Sequence, residues 1–189
     1  AQVPEASALM GPKGRVHVIE ARAGSLLTGR RIANSTDPGI CRLSVVERHG
    51  KGVPPANAYV QGFGTLRGAI ASSVGHDSHN LIVVGQEASD LRAALACVIE
   101  MGGGFCVVQG GNVTAKLPLP YGGLMSNESP ETLRRHIELL RAASLAIGCE
   151  IAEPFLQLAF LSLPVIPSLK LTDQGLVDVD AFALIDVRA

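Results

Sequence analysis

The sequence predicts an α/β (mixed α+β) domain with a central mixed sheet and flanking helices. Three observations predict it. A buried strand, a capped helix and another strand follow one another between Leu81 and Val108. A second capped helix spans about Pro130–Ile147. Hydrophobic residues make up 47% of the 189 residues and charged residues 17%. That excludes a disordered chain and supplies a core without a disulfide or metal staple. Trp is absent, with Phe 5 and Tyr 2, so the core is aliphatic.

Residues 1–14 are small, polar and Gly/Pro-bearing, and are expected to be a linker or cut edge ahead of a domain over 15–189. Arg15–Ile19 alternates, with Val16 and Val18 against a solvent-facing His17, which signals a strand. Leu43–Val46 is a second apolar run, and Gly50–Pro55 a loop. Gly62, Gly64 and Gly68 punctuate the approach to the run Ala69–Val74. Leu81–Gly85 is a buried strand. Leu91, Leu95, Val98 and Ile99 line one face of a helix over about Asp90–Met101, with Ser89 as its cap and Gly102 as its stop. Phe105–Val108 is the next strand, and Gly110-Gly111 turns it into Val113–Leu117. Ser129 caps the second helix, Pro130 takes its first position, Leu133, Ile137 and Leu140 line its face, and Gly148 closes it. His136 falls at the edge of that face. Phe155–Leu163 is apolar on all sides and therefore buried, as helix or strand. Leu169–Leu171, Leu176–Val179 and Phe182–Val187 read as short strands.

Lys+Arg 16 against Asp+Glu 17 gives a net charge of −1, which offers no excess of cations for phosphate and argues against nucleic acid as partner. The longest apolar run, Phe155–Ile166, holds Gln157 and Pro164 and is short of the roughly 20 residues a membrane span needs. Cys41, Cys97, Cys106 and Cys149 are widely spaced, and Cys97 and Cys106 fall in apolar elements as small buried hydrophobes. Asn34, Asn112 and Asn127 open N-x-S/T sequons, but no apolar signal region precedes them. A soluble, cytoplasmic protein is expected.

The common cofactor and catalytic signatures fail. Gly68 falls one residue too late for GxGxxG after Gly62 and Gly64. No Walker lysine, GxSxG, HExxH or zinc-deaminase pattern occurs. Gly102-Gly103-Gly104 follows a helix, so it reads as a helix stop rather than a phosphate cradle.

The unusual segment is Ser72–Asn80, which holds His76, Asp77 and His79 among three serines and an asparagine. It lies between two buried elements, where polar groups must find partners or meet a ligand. His76, Asp77 and His79 can ligate a metal, and Asp77 can orient an imidazole. The bland alternative is a turn in which Asp77, Ser78 and Asn80 bond their own backbone. Arg48 and His49, at the end of a short strand, are the weaker candidates.

The block Gly68–Gly85, GAIASSVGHDSHNLIVVG, resembles the C-terminal domain of adenine deaminase, of the amidohydrolase superfamily. VERHG at 46–50, LPLPYGGLMS at 117–126 and FLSLPVIPSLKLTDQGLVDV at 160–179 agree with it, and Gly75 departs from it where Ala is expected. The resemblance runs from about Val16 to Val187. It implies hydrolysis of adenine to hypoxanthine and ammonia at a Mn²⁺ or Fe²⁺ centre. Its ligands belong to an N-terminal (β/α) barrel, whose His-x-His motif is not in these residues. The chain would then be an accessory domain, inactive alone, that partners that barrel in a homo-oligomer. His76, Asp77 and His79 would have catalytic roles, and Ser78, Asn80, Arg48 and His49 would bind substrate. Two alternatives stay open: a structural or oligomerisation module with HDSHN as an internal polar cluster, and a separate metal on His76, Asp77 and His79.

Overall fold

A computed structural model describes residues 1–189. Eight strands form the main sheet: β1 (Arg15–Glu20), β2 (Gly29–Asn34), β3 (Ile40–Val46), β4 (Ala56–Gln61), β5 (Ala69–Ser72), β6 (Leu81–Gly85), β7 (Gly104–Gln109) and β8 (Asn112–Pro118). Their order is β2-β1-β4-β3-β6-β5-β7-β8, and only β1 and β4 pair in parallel. A smaller antiparallel sheet joins β9 (Leu169–Thr172), β10 (Gly175–Asp178) and β11 (Ala183–Ile185). The expected mixed sheet with flanking helices is what forms.

The apolar strands are sandwiched between layers, which is why they read as continuous runs rather than alternations. In β6, Leu81 and Val83 face α1 (Ala88–Glu100), while Ile82 and Val84 face the opposite layer. That second layer holds α2 (Pro130–Ala146) over β7 and β8, α3 (Pro154–Phe160) over β5 and β6, and the small sheet over β1, β3 and β4. The strand–helix–strand unit β6-α1-β7 is present, but β5 lies between its two strands.

Several local expectations are corrected. α1 starts at Ala88, two residues before the expected Asp90, so Ser89 falls inside its first turn. Glu87 takes the cap position without a side-chain cap bond. Asp90 instead accepts a hydrogen bond from the Gly111 amide at 2.6 Å and pins the β7–β8 turn. Phe155–Leu163 is helical at its start, and Leu156 is exposed, so this segment is not buried on all sides. His17 is only partly exposed, and burial together with Arg30 lowers its pKa. Ile137 lies at the exposed margin of α2, whose buried contacts come from Leu140 and Ser144. β2 and β4 lie outside the apolar runs. β2 is an edge strand with its arginines in solvent, and β4 directly follows Pro54-Pro55.

Other expectations hold. Ser129 accepts the Thr132 amide at the start of α2, and Pro130 follows it. All four cysteines are free and buried. Apart from these, residues 6–9 of the segment expected as a linker or cut edge make a 3₁₀ turn that buries Leu9 against the α1 layer, which a free linker would not do. No helix is long and apolar enough to cross a membrane.

Candidate functional site

One end of the main sheet collects the polar segment and its neighbours. β3, β5 and β8 finish at this end, while β6 and β7 start there, because each of these neighbouring pairs is antiparallel. Val46 pairs with Leu81, Ser72 with Ile82 and Phe105, and Gly104 with Pro118. Four loops separated in sequence therefore meet: 47–52, 73–80, 101–103 and 119–125.

The loop after β3 is shaped by Glu47. Its buried carboxylate accepts the His49 amide and, at 2.8 Å, the Lys51 amide. Burial works to raise its pKa, but hydrogen bonds from the amides of His49, Lys51 and Gly52 outweigh that and hold it below the usual value. The turn delivers Arg48 and His49 to the β5–β6 loop. Arg48 Nε donates to the His79 carbonyl at 2.6 Å, and Nη2 donates to the Gly122 carbonyl at 2.5 Å. The Arg48 amide donates to Asn80 Oδ1 at 3.4 Å. His49 Nε2 is 2.9 Å from the Ser78 carbonyl.

The β5–β6 loop is thus held through its backbone by a different strand. The self-bonded turn is not what forms: the Asp77 and Ser78 side chains make no hydrogen bond within the chain, and Asn80 bonds Arg48. Only Ser72 bonds locally, to the Val74 amide at 2.9 Å. His76, Asp77 and Ser78 are exposed, whereas Ser73 and Asn80 are buried. An internal polar cluster describes those last two residues but not the three at the tip. The His76 ring lies against Phe160 at the end of α3, with centroids 5.2 Å apart. His79 has φ +50°, a left-handed conformation that side chains disfavour, and its Nδ1 is buried without a partner.

The triglycine is a helix stop and not an anion cradle. The amides of Gly102 and Gly103 bond the carbonyls of Ile99 and Val98, and that of Gly104 bonds Ser73 Oγ. Nor do His76, Asp77 and His79 converge as a metal centre of their own: no group of three His, Cys, Asp or Glu side chains here could hold an ion.

The structure therefore brings together Arg48, His49, Ser78, His79 and Asn80, sets His76 against Phe160, and leaves Asp77 at the open tip. Ser73, Gly123 and Phe160 escaped the sequence reading. All three fall in quoted blocks, but serine, glycine and phenylalanine there have no distinguishing chemistry, and nothing in the α3 spacing marks Phe160.

Residues 21–183 match the family model described as "Adenine deaminase C-terminal domain". The curated relatives include "Adenine deaminase" of Shewanella halifaxensis, 47% identical over 93% of this chain and 31% of the relative. "Adenine deaminase 1" of Rhizobium johnstonii is 48% identical over 92% of this chain and 32% of its own length. "Adenine deaminase" of Escherichia coli is 45% identical, covering 91% and 30%. The chain spans about a third of the length of these relatives.

Proposed function

Because this chain belongs to the adenine deaminase C-terminal domain family, we propose that it works as part of a larger adenine deaminase. Its loop His76–Asn80 completes an active site that is held mainly by an N-terminal barrel. The reaction is adenine plus water to hypoxanthine plus ammonia. The metal, manganese or iron, belongs to the barrel, since the residues here do not form an ion site. The proposed setting is the cytoplasm, in keeping with four free cysteines, and the proposed assembly is a homo-oligomer.

The observation that carries the reading is the division of labour in the loop. Its backbone carbonyls are held by Arg48 and His49, while the side chains of His76, Asp77 and Ser78 are exposed and take no hydrogen bond from the chain. A rigid backbone presenting free polar groups suits contact with something beyond the domain. Replacing the C6 amino group requires one proton on the purine ring and another on the departing ammonia. Histidine holds and releases protons near neutral pH, so His76 and His79 are assigned those transfers. On this reading Ser78 and His49 bind the substrate, and the exposed Asp77 carboxylate, which bonds no imidazole within this chain, takes its partner in the assembled site. In the alternative, a purely structural or oligomerisation role, these side chains face no substrate.

The test uses this chain fused to the N-terminal two-thirds of the Shewanella halifaxensis relative, with the unfused chain as control. The unfused chain should fold yet leave adenine untouched in Mn²⁺. In the fusion, His76→Ala and His79→Ala should each lower kcat by about 10²-fold, the range for a positioned proton-transfer group, with Asp77→Asn costing less. Melting temperatures should hold. Near-normal kcat with a large fall in melting temperature would return the loop to scaffold.

A further inference from the structure

We infer that Arg48 is a positioning residue that locks the His76–Asn80 loop and the Tyr121–Met125 turn into one relation, and thereby sets where His79 stands. The inference rests on the proposed role of that loop. Arg48 is the one side chain that bonds both segments, through His79 at 2.6 Å and Gly122 at 2.5 Å. Charged N–H donors make stronger bonds than neutral ones, and the planar guanidinium fixes the angle between them. The same residue's amide reaches Asn80 Oδ1, so the loop is held at two adjacent residues.

The surroundings are built for this contact. Glu47 caps the turn that carries Arg48. Gly123 packs directly on the guanidinium, and a Cβ there would collide with Arg48 Nη1. Ser73 then ties the same turn down from below, donating to the Gly123 carbonyl and accepting the Gly104 amide. His79 holds a left-handed backbone, and its carbonyl is the one that Arg48 bonds. With Nε and Nη2 engaged on carbonyls, these donors would meet substrate only by releasing the loops.

The test has two readouts. Hydrogen exchange on the 189-residue chain follows amides 76–80 and 121–125, and kinetics on the fusion follow kcat and KM. Arg48→Ala should speed exchange in both segments together and, by misplacing the loop, lower kcat by about 10²-fold with KM nearly unchanged. Added guanidinium should restore part of the lost kcat. Arg48→Lys should not, because one ammonium cannot reproduce the rigid fork. Gly123→Ala strains its own turn, since Gly123 has φ +74°, and also crowds the guanidinium, so faster exchange in 76–80 as well as in 121–125 reads the clamp. A rise in KM with exchange unchanged would overturn the inference and make Arg48 a substrate contact. Unchanged kcat and exchange in Arg48→Ala, alongside loss of kcat in the histidine variants, would overturn the clamp alone. Faster exchange in both segments with full activity in His76→Ala and His79→Ala would keep the clamp and remove the catalytic reading of the loop.

Discussion

Ser73 and Gly123 are joined across the polar end of the sheet by a 2.6 Å hydrogen bond from the serine hydroxyl to the glycine carbonyl. The same oxygen accepts the Gly104 amide at 2.7 Å. One fully buried hydroxyl therefore connects the end of β5, the start of β7 and the turn after β8.

Ser73→Ala should destabilise the domain more than the loss of a surface hydroxyl would. It leaves a buried amide and carbonyl without their partner, at a cost of about 1–3 kcal/mol. Urea unfolding should show a lower midpoint with an unchanged slope. An unaltered midpoint would mean that water replaces the hydroxyl and that the bond contributes little.

Lys170 predicts a pH dependence. It lies fully buried in β9, donating to the Leu26 carbonyl at 2.9 Å, and desolvation lowers its pKa from 10.5 to about 8. Below pH 8 both folded and unfolded chains hold the proton, and the buried charge is a full penalty. Between about 8 and 10.5 the unfolded chain binds more protons than the folded one, so stability should rise with pH through that window. Lys170→Met should stabilise the domain at pH 7 by about 1–2 kcal/mol, and the gain should shrink toward pH 10.5. Melting curves of both proteins across this range check it. A gain that does not vary with pH would show that the ammonium is not the source of the penalty.

Gly102 ends α1 with φ +75°, and the space where a Cβ would point is open. Gly102→Val therefore meets no collision, only the backbone penalty, about 1 kcal/mol or more. The melting temperature should fall by a few degrees, with the fusion's catalytic constants unchanged. Weaker substrate affinity at an unchanged melting temperature would restore a ligand-binding role for the triglycine.

Much of the candidate site was legible because its chemistry is concentrated. Two histidines and an aspartate within four residues stand out between apolar runs, and Arg48-His49 stands out at a strand end. Ser73 and Phe160 did not, since serine and phenylalanine occur everywhere and only their neighbours make them special here. The helix start failed for a related reason. Ser89 is a good cap by type, but the helix starts one residue ahead of it, and Asp90 bonds the β7–β8 turn.

By itself the sequence determined the apolar strands, the two long helices and the polar block between β5 and β6, because these follow from local periodicity, capping and composition. It also carried the family resemblance, which residues 21–183 bear out. Only the tertiary structure decided which segments share the end of the sheet. The β3, β5, β6, β7 and β8 pairings bring His79 and Gly122 within reach of the Arg48 guanidinium, although Arg48 and Gly122 are 74 residues apart. Strand order depends on how whole faces bury against each other, and no local window of sequence contains that information.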